Sequence, residues 1–168
     1  MTTREFYRNG QSVVAKPYHY KMCGLDDVYL LNGFAVKETS YGSGVTVSDV
    51  DGLHRAIGFL LINERKALSP KELRFLRKEM GLTQAELGLR IGQSDQQVAR
   101  WEKGECIIPG PAERLIRILY TVAYVPAKRR APLLNKLLKQ LDMLTKTDQT
   151  NAPKLVLIEN NGEWKKAA

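Results

Sequence analysis

Cysteine is scarce in this chain: Cys23 and Cys106 are the only two, with no Cys-x-x-Cys pair, so neither a disulfide framework nor a zinc knuckle is supported. The two histidines, His19 and His54, do not repeat at ligand spacing. No apolar run approaches the roughly 20 residues a membrane-crossing helix needs. The first residues, with Arg4, Glu5 and Arg8 among polar neighbours, lack the apolar centre of a signal peptide. A cytoplasmic protein without a membrane partner is the expectation. There is no glycine-rich phosphate loop, no Ser or Cys in a nucleophile elbow and no metal-ligand spacing, so neither an enzyme nor a cofactor is expected. Acidic residues are outnumbered, 18 against 26 basic, and the resulting +8 suits a polyanionic partner, an anionic membrane surface or no partner at all. What is present suffices for folding: 168 residues, 43% of them apolar, allow one ordinary domain or two small ones.

The most ordered signals lie between Leu82 and Gly104. Thr83 followed three residues later by Glu86 is a capping-box pattern that opens a helix through Ile91. Gly88 midway along it permits a close crossing, and Gly92 ends it with the left-handed conformation a tight turn needs. Ser94 then caps a second helix to Lys103, stopped by Gly104. At about 100° per residue, Val98, Trp101 and Glu102 fall toward one side of this second helix and Gln96, Arg100 and Lys103 toward the other. The second group has the chemistry of major-groove reading: glutamine bonds adenine bidentately, arginine forks onto guanine, and lysine suits phosphate. On an arbitrary amphipathic helix such residues would be an ordinary solvated face. Here the small-residue spacing, the two caps and the turn favour DNA.

Thr83-Gln84-Ala85-Glu86-Leu87-Gly88, Ile91-Gly92-Gln93-Ser94 and Val98-Ala99-Arg100-Trp101-Glu102-Lys103-Gly104 together resemble the Xre/Cro/C1 phage-repressor family, over about residues 69 to 123. The resemblance implies a lambda-repressor-like all-α domain in which Gln84 clamps a DNA phosphate and braces the recognition helix. It places Asp95, Gln96 and Arg100 at base-reading positions. Asp95 departs from the Gln or Arg often found there, and either accepts a bond from cytosine or helps cap the helix. Gln97, at the edge of the face, reaches phosphate or a neighbouring base; Ser94 and Lys103 complete the DNA-binding set. Arg77 and Glu102 match positions that pair in some members of the family. The implied function is a sequence-specific transcriptional regulator, a dimeric repressor on a palindromic operator, with double-stranded DNA and a second copy as partners.

The flanking segments are read more coarsely. Residues 1 to 16 form an arm in which Val13-Val14 is a candidate strand. Tyr18-His19-Tyr20, Val28-Tyr29-Leu30-Leu31, Phe34-Ala35-Val36 and Val45-Thr46-Val47 are short β-rich runs separated by Asn32-Gly33 and by Gly42-Ser43-Gly44, which predicts a small antiparallel sheet with an Asn-Gly hairpin. Asp49 caps a helix through about Asn63, whose Leu53, Ile57, Leu60 and Leu61 lie against that sheet. The runs from Tyr18 to Phe34 are also similar to a bacterial regulator group related to MqsA- and HigA-type antitoxins, although the paired CxxC zinc motifs are missing. That likeness supplies the alternative function, an antitoxin that binds a toxin protein and autoregulates its operon. Tyr18, His19, Tyr20 and Cys23 are either a ligand cluster or aromatic strand residues packing a sheet.

Asn63 to Ser69 reads as a short polar linker. Ser69-Pro70 starts a helix with Leu73, Leu76 and Met80; a Pro-Gly-Pro loop then leads to a helix from about Pro111 to Tyr124 with Leu115, Ile116, Ile118, Leu119 and Val122 inward. Residues 126 to 145 carry Leu133, Leu134, Leu137, Leu138, Leu141 and Leu144, a face covered either by this chain or by a second copy. Leu155-Val156-Leu157-Ile158 and Trp164 form a terminal strand and turn that joins either the first module's sheet or a partner's. The expected class is α+β: a β-hairpin and helix module (1–65), a helix-turn-helix domain (69–124), a dimerisation helix (126–145) and a terminal strand (153–168).

Overall fold

The protein is described here by a computed structural model that covers residues 16–40, 42–147 and 152–167; the Val13-Val14 strand expectation lies outside them. The chain divides into two compact units, one of Met1–Ala56 with Lys154–Ala168, the other of Ile57–Pro153.

The first unit contains β1 (Tyr18–His19), β2 (Val28–Leu30), β3 (Phe34–Thr39), β4 (Gly42–Val47), the first turns of α1 (Val50–Glu64), β5 (Leu155–Asn160) and β6 (Glu163–Lys166). The larger sheet has the order β1-β2-β5-β6, and among the described residues β3 pairs with β4 in a separate two-stranded sheet. The terminal strand therefore joins the chain's own sheet. That sheet is not wholly antiparallel as expected, because β5 runs parallel to β2, with Val28 opposite Leu155 and Leu30 opposite Leu157. Period-two alternation buries Val28, Leu30, Leu155 and Leu157 on one face and leaves Tyr29 and Val156 half-buried on the other.

The hairpin expected at Asn32-Gly33 does not form. The Asn32 side chain instead donates to the Glu159 carbonyl at 2.9 Å and accepts from the Glu159 N–H at 2.6 Å, imitating a strand residue beside β5. Gly33 takes φ +72°, and a Cβ there would stand 2.6 Å from the Trp164 ring, so the residue hands the chain from one sheet to the next beneath that indole. Gly42-Ser43-Gly44 likewise is not a separator but the first half of β4. At the entry to α1, Asp49 accepts from the Gly52 N–H at 3.0 Å, the expected cap.

The second unit holds the rest of α1 with α2 (Pro70–Glu79), α3 (Gln84–Ile91), α4 (Asp95–Lys103), α5 (Gly110–Tyr124) and α6 (Ala127–Leu144). The fold class is thus α+β, with sheets in the first unit and helices making up the described elements of the second. Ser69 and Glu72 form a full capping box at the start of α2. The expected linker is solvated only in part: Lys66, Ala67 and Ser69 are exposed, but Leu68 is buried and Arg65 is 1% exposed, its guanidinium donating to Glu72 at 2.6 Å and to the Pro153 carbonyl. On α5 the inward residues are Ile116, Arg117, Tyr120 and Thr121, whereas Leu115, Ile118 and Leu119 are half-buried and Val122 is exposed. On α6 only Leu137 and Leu141 are buried; Leu133, Leu134 and Leu144 are half-buried and Leu138 is exposed.

Candidate nucleic-acid interface

The candidate site is built on α3, a tight turn and α4. The Thr83 hydroxyl accepts from the Glu86 N–H at 3.2 Å while the Glu86 carboxylate accepts from the Thr83 N–H at 2.7 Å, satisfying donors that a helix start otherwise leaves open. Those hydrogen bonds, from the Thr83 backbone first and its hydroxyl next, hold the Glu86 carboxyl below its ordinary range. Gly92 closes α3 at φ +70°, in the left-handed region.

Gly88 sets how closely the two helices approach. A Cβ on it would lie 2.6 Å from the Gln93 carbonyl oxygen and 3.2 Å from the Ser94 backbone, neither of which can swing aside as a flexible side chain would. Gly88→Ala is therefore expected to force the turn open, costing about 1–3 kcal/mol as an overpacked core does. Urea unfolding followed by far-ultraviolet circular dichroism measures this, and an unchanged midpoint would show that the turn tolerates the methyl.

At the head of α4 the Ser94 hydroxyl accepts from the Gln97 N–H at 3.1 Å, and the Asp95 carboxylate accepts from the Gln96 N–H at 2.8 Å. A negative charge in this first turn also complements the helix dipole. On the inner side of α4, Val98 and Trp101 are essentially inaccessible, and Glu102 is 9% exposed. Glu102 holds α4 in place. Arg77 grips it bidentately, Nε to one oxygen at 2.5 Å and Nη2 to the other at 2.9 Å, and spends its third donor on the Leu82 carbonyl at 2.7 Å. The Gln84 amide donates to the same carboxylate at 2.9 Å, and Arg74 stands 4.0 Å away. Burial alone would raise the Glu102 pKa. The bonds from Arg77 and Gln84, with the charges of Arg77 and Arg74, outweigh burial and hold it below the ordinary range.

On the outer side, Ser94, Asp95, Gln96, Arg100 and Lys103 are exposed. Two of the expected site residues are half-buried. Gln84 turns its amide to Glu102, and Gln97 donates to the Cys106 sulfur at 3.3 Å, which ties α4 to the loop that follows it. One neighbour escaped sequence reasoning: Glu105 lies 3.6 Å from Arg100 and 3.8 Å from Lys103, folded back onto them after Gly104 ends the helix. Helix periodicity stops at Gly104, so no spacing rule placed it. The result is one helix face carrying an amide, a guanidinium and an ammonium, backed by a buried ion pair that fixes its orientation.

The histidines and Cys23 are occupied otherwise. His19 stacks on Tyr29 with ring centroids 4.6 Å apart, the Tyr20 hydroxyl and His54 Nε2 are 2.9 Å apart, and the Cys23 thiol donates to the Tyr20 carbonyl. Among the described residues, no three His, Cys, Asp or Glu side chains are grouped to hold a metal ion. No described helix is long and apolar enough to cross a membrane.

Residues 73–117 match the helix-turn-helix family model, a span that begins in α2 and ends at Arg117 of α5. No curated protein and no solved structure matches the chain. The matched span contains the whole candidate site.

Proposed function

From a chain that carries a helix-turn-helix domain of DNA-binding regulators over residues 73–117, we propose a sequence-specific repressor that reads a palindromic operator as a homodimer. The observation that carries this reading is the exposed Gln96, Arg100 and Lys103 face on a helix whose opposite side is locked by Arg77 and Glu102. In this reading Gln96 and Arg100 contact base edges, Lys103 and Ser94 contact phosphates, and Asp95 organises the first turn while facing a cytosine amine. Gln84 and Gln97 position the helix and approach phosphate at its flanks. Two such helices, one from each copy, would enter successive major-groove turns about 34 Å apart. The exposed Leu138 and Met143 on α6 offer apolar surface for the second copy.

The test is binding to duplex DNA from upstream of the chain's own gene against a random duplex, over a salt series. Arg100→Ala is expected to cost about 1–3 kcal/mol on the cognate duplex, whereas Lys103→Ala weakens both duplexes alike and lowers the salt slope by about one. Equal losses on both duplexes from Arg100→Ala would remove base reading from Arg100. A monomeric mass by light scattering, with full operator affinity retained, would remove the dimer.

Glu105 adds a second expectation. Its carboxylate competes with phosphate for Arg100 and Lys103, and an exposed pair of this kind is worth at most about 1 kcal/mol. Glu105→Gln is therefore expected to tighten binding to any duplex by up to about fivefold at low salt, with the gain fading as salt screens the pair. Weaker binding would show that Glu105 positions Arg100 for its base instead of restraining it.

A further inference from the structure

The face of the first unit's sheet opposite Val28, Leu30, Leu155 and Leu157 is not flat. It opens into a cavity of about 400 Å³, within the roughly 300–1,000 Å³ range of small-molecule sites. Its floor is apolar: Leu31 is buried, and Tyr29 and Val156 are half-buried. Lys16, Lys154 and Lys166 are exposed along its lining, and among the described residues no acidic side chain lines it.

We propose that this cavity binds a small amphipathic organic acid, its apolar body on Leu31 and Val156 beside Tyr29 and its carboxylate against the lysines. Three cations around an apolar floor select for one anionic group on a hydrophobic frame. An uncharged ligand would gain nothing from the positive charge of the lysines, and a fully hydrated anion would gain nothing from the floor. A nucleic-acid strand fits less well. Base stacking needs an open aromatic face, whereas the Tyr29 ring already has His19 stacked on it and the Lys154 ammonium 5.0 Å from its centroid. The chain's own first 15 residues are also a poor match in charge, with Arg4 and Arg8 against Glu5 alone.

The experiment titrates the full chain, isotope-labelled for amide NMR, with 2-naphthoate and, separately, with its uncharged carboxamide. Saturable shifts at Tyr29, Val156 and Ala167, whose amide bonds the Val156 carbonyl, are expected for the acid. The carboxamide should bind about tenfold more weakly, the weight of one charge-assisted hydrogen bond. Lys154→Gln should weaken the acid severalfold, and Lys128→Gln on α6 should not. Four results would overturn the proposal: no saturable shift at millimolar acid, equal affinity for acid and carboxamide, equal weakening by Lys128→Gln, or displacement of the acid by either a peptide of residues 1–15 or a short single-stranded oligonucleotide.

Discussion

Arg117→Ala is expected to lower the unfolding free energy of the second unit by about 3–5 kcal/mol, the loss that accompanies breaking a buried, fully bonded charge. Arg117 is wholly inaccessible, yet every donor direction is used. Nη1 donates to the Ile62 carbonyl at 2.7 Å, Nη2 to the Arg65 carbonyl at 2.8 Å, and Nε to Glu113 at 3.1 Å. The carbonyls belong to the end of α1 and the residue after it, where a helix leaves its acceptors open and its dipole favours a cation. Alanine would orphan those acceptors and leave Glu113 without its partner. Arg117→Lys should recover little, because one ammonium on a flexible stem cannot span three acceptors set out for a planar fork. Trp101, buried in the same unit, reports the transition in urea once Trp164 is replaced by phenylalanine. A loss below about 1 kcal/mol, the range of exposed pairs, would show that water satisfies those carbonyls as well as the guanidinium does.

The residues that were legible in sequence and those that were not differ in the reach of the interaction. Thr83 with Glu86, Ser94, Gly88, Gly92 and Gly104 act within a few residues of themselves, so their spacing alone located α3, the turn and α4. Two Asn-Gly pairs show where that reasoning stops. Asn161-Gly162 joins β5 to β6 with both residues at positive φ, +52° and +78°, as a two-residue hairpin requires. Asn32-Gly33 has the same composition and does something else, because a strand 127 residues away in sequence captures the asparagine side chain. The parallel pairing of β2 with β5 is nonlocal in the same way. On α5, apolar periodicity assigned Leu115 and Val122 to the core and overlooked Arg117, since no residue scale credits a guanidinium with acceptors that another helix supplies. In the candidate site the exposed Gln96, Arg100 and Lys103 follow from helical angle. That Gln97 bonds the Cys106 sulfur, and that Glu105 folds back on two site residues, depends on how the loop leaves the helix.

Arg77→Ala is expected to be as damaging as Arg117→Ala, about 3–5 kcal/mol, and its deficit carries a pH signature that separates charge from packing. The pair is bidentate and its carboxylate is 3% exposed, so removing the arginine leaves a nearly desolvated negative charge with only the Gln84 amide bonded to it and Arg74 at 4.0 Å. In the wild type the folded-state pKa of Glu102 lies below the ordinary 4.5. Its stabilising contribution is therefore full above the unfolded value and is lost as pH falls through the lower folded one. In Arg77→Ala the burial that opposes ionisation persists while the strongest opposing bonds are gone, so the carboxyl rises and takes up its proton earlier. The stability gap between variant and wild type should then narrow as pH is lowered from about 7 toward 4. Adding Glu102→Gln removes the uncompensated charge, and the double variant should be more stable than Arg77→Ala alone at neutral pH, a coupling a double-mutant cycle reads directly. The same cycle read in operator affinity asks whether the pair also sets the orientation of α4. A gap independent of pH, together with a double variant no better than the single, would mean that Arg77 acts through its packed stem and not through the carboxylate it holds.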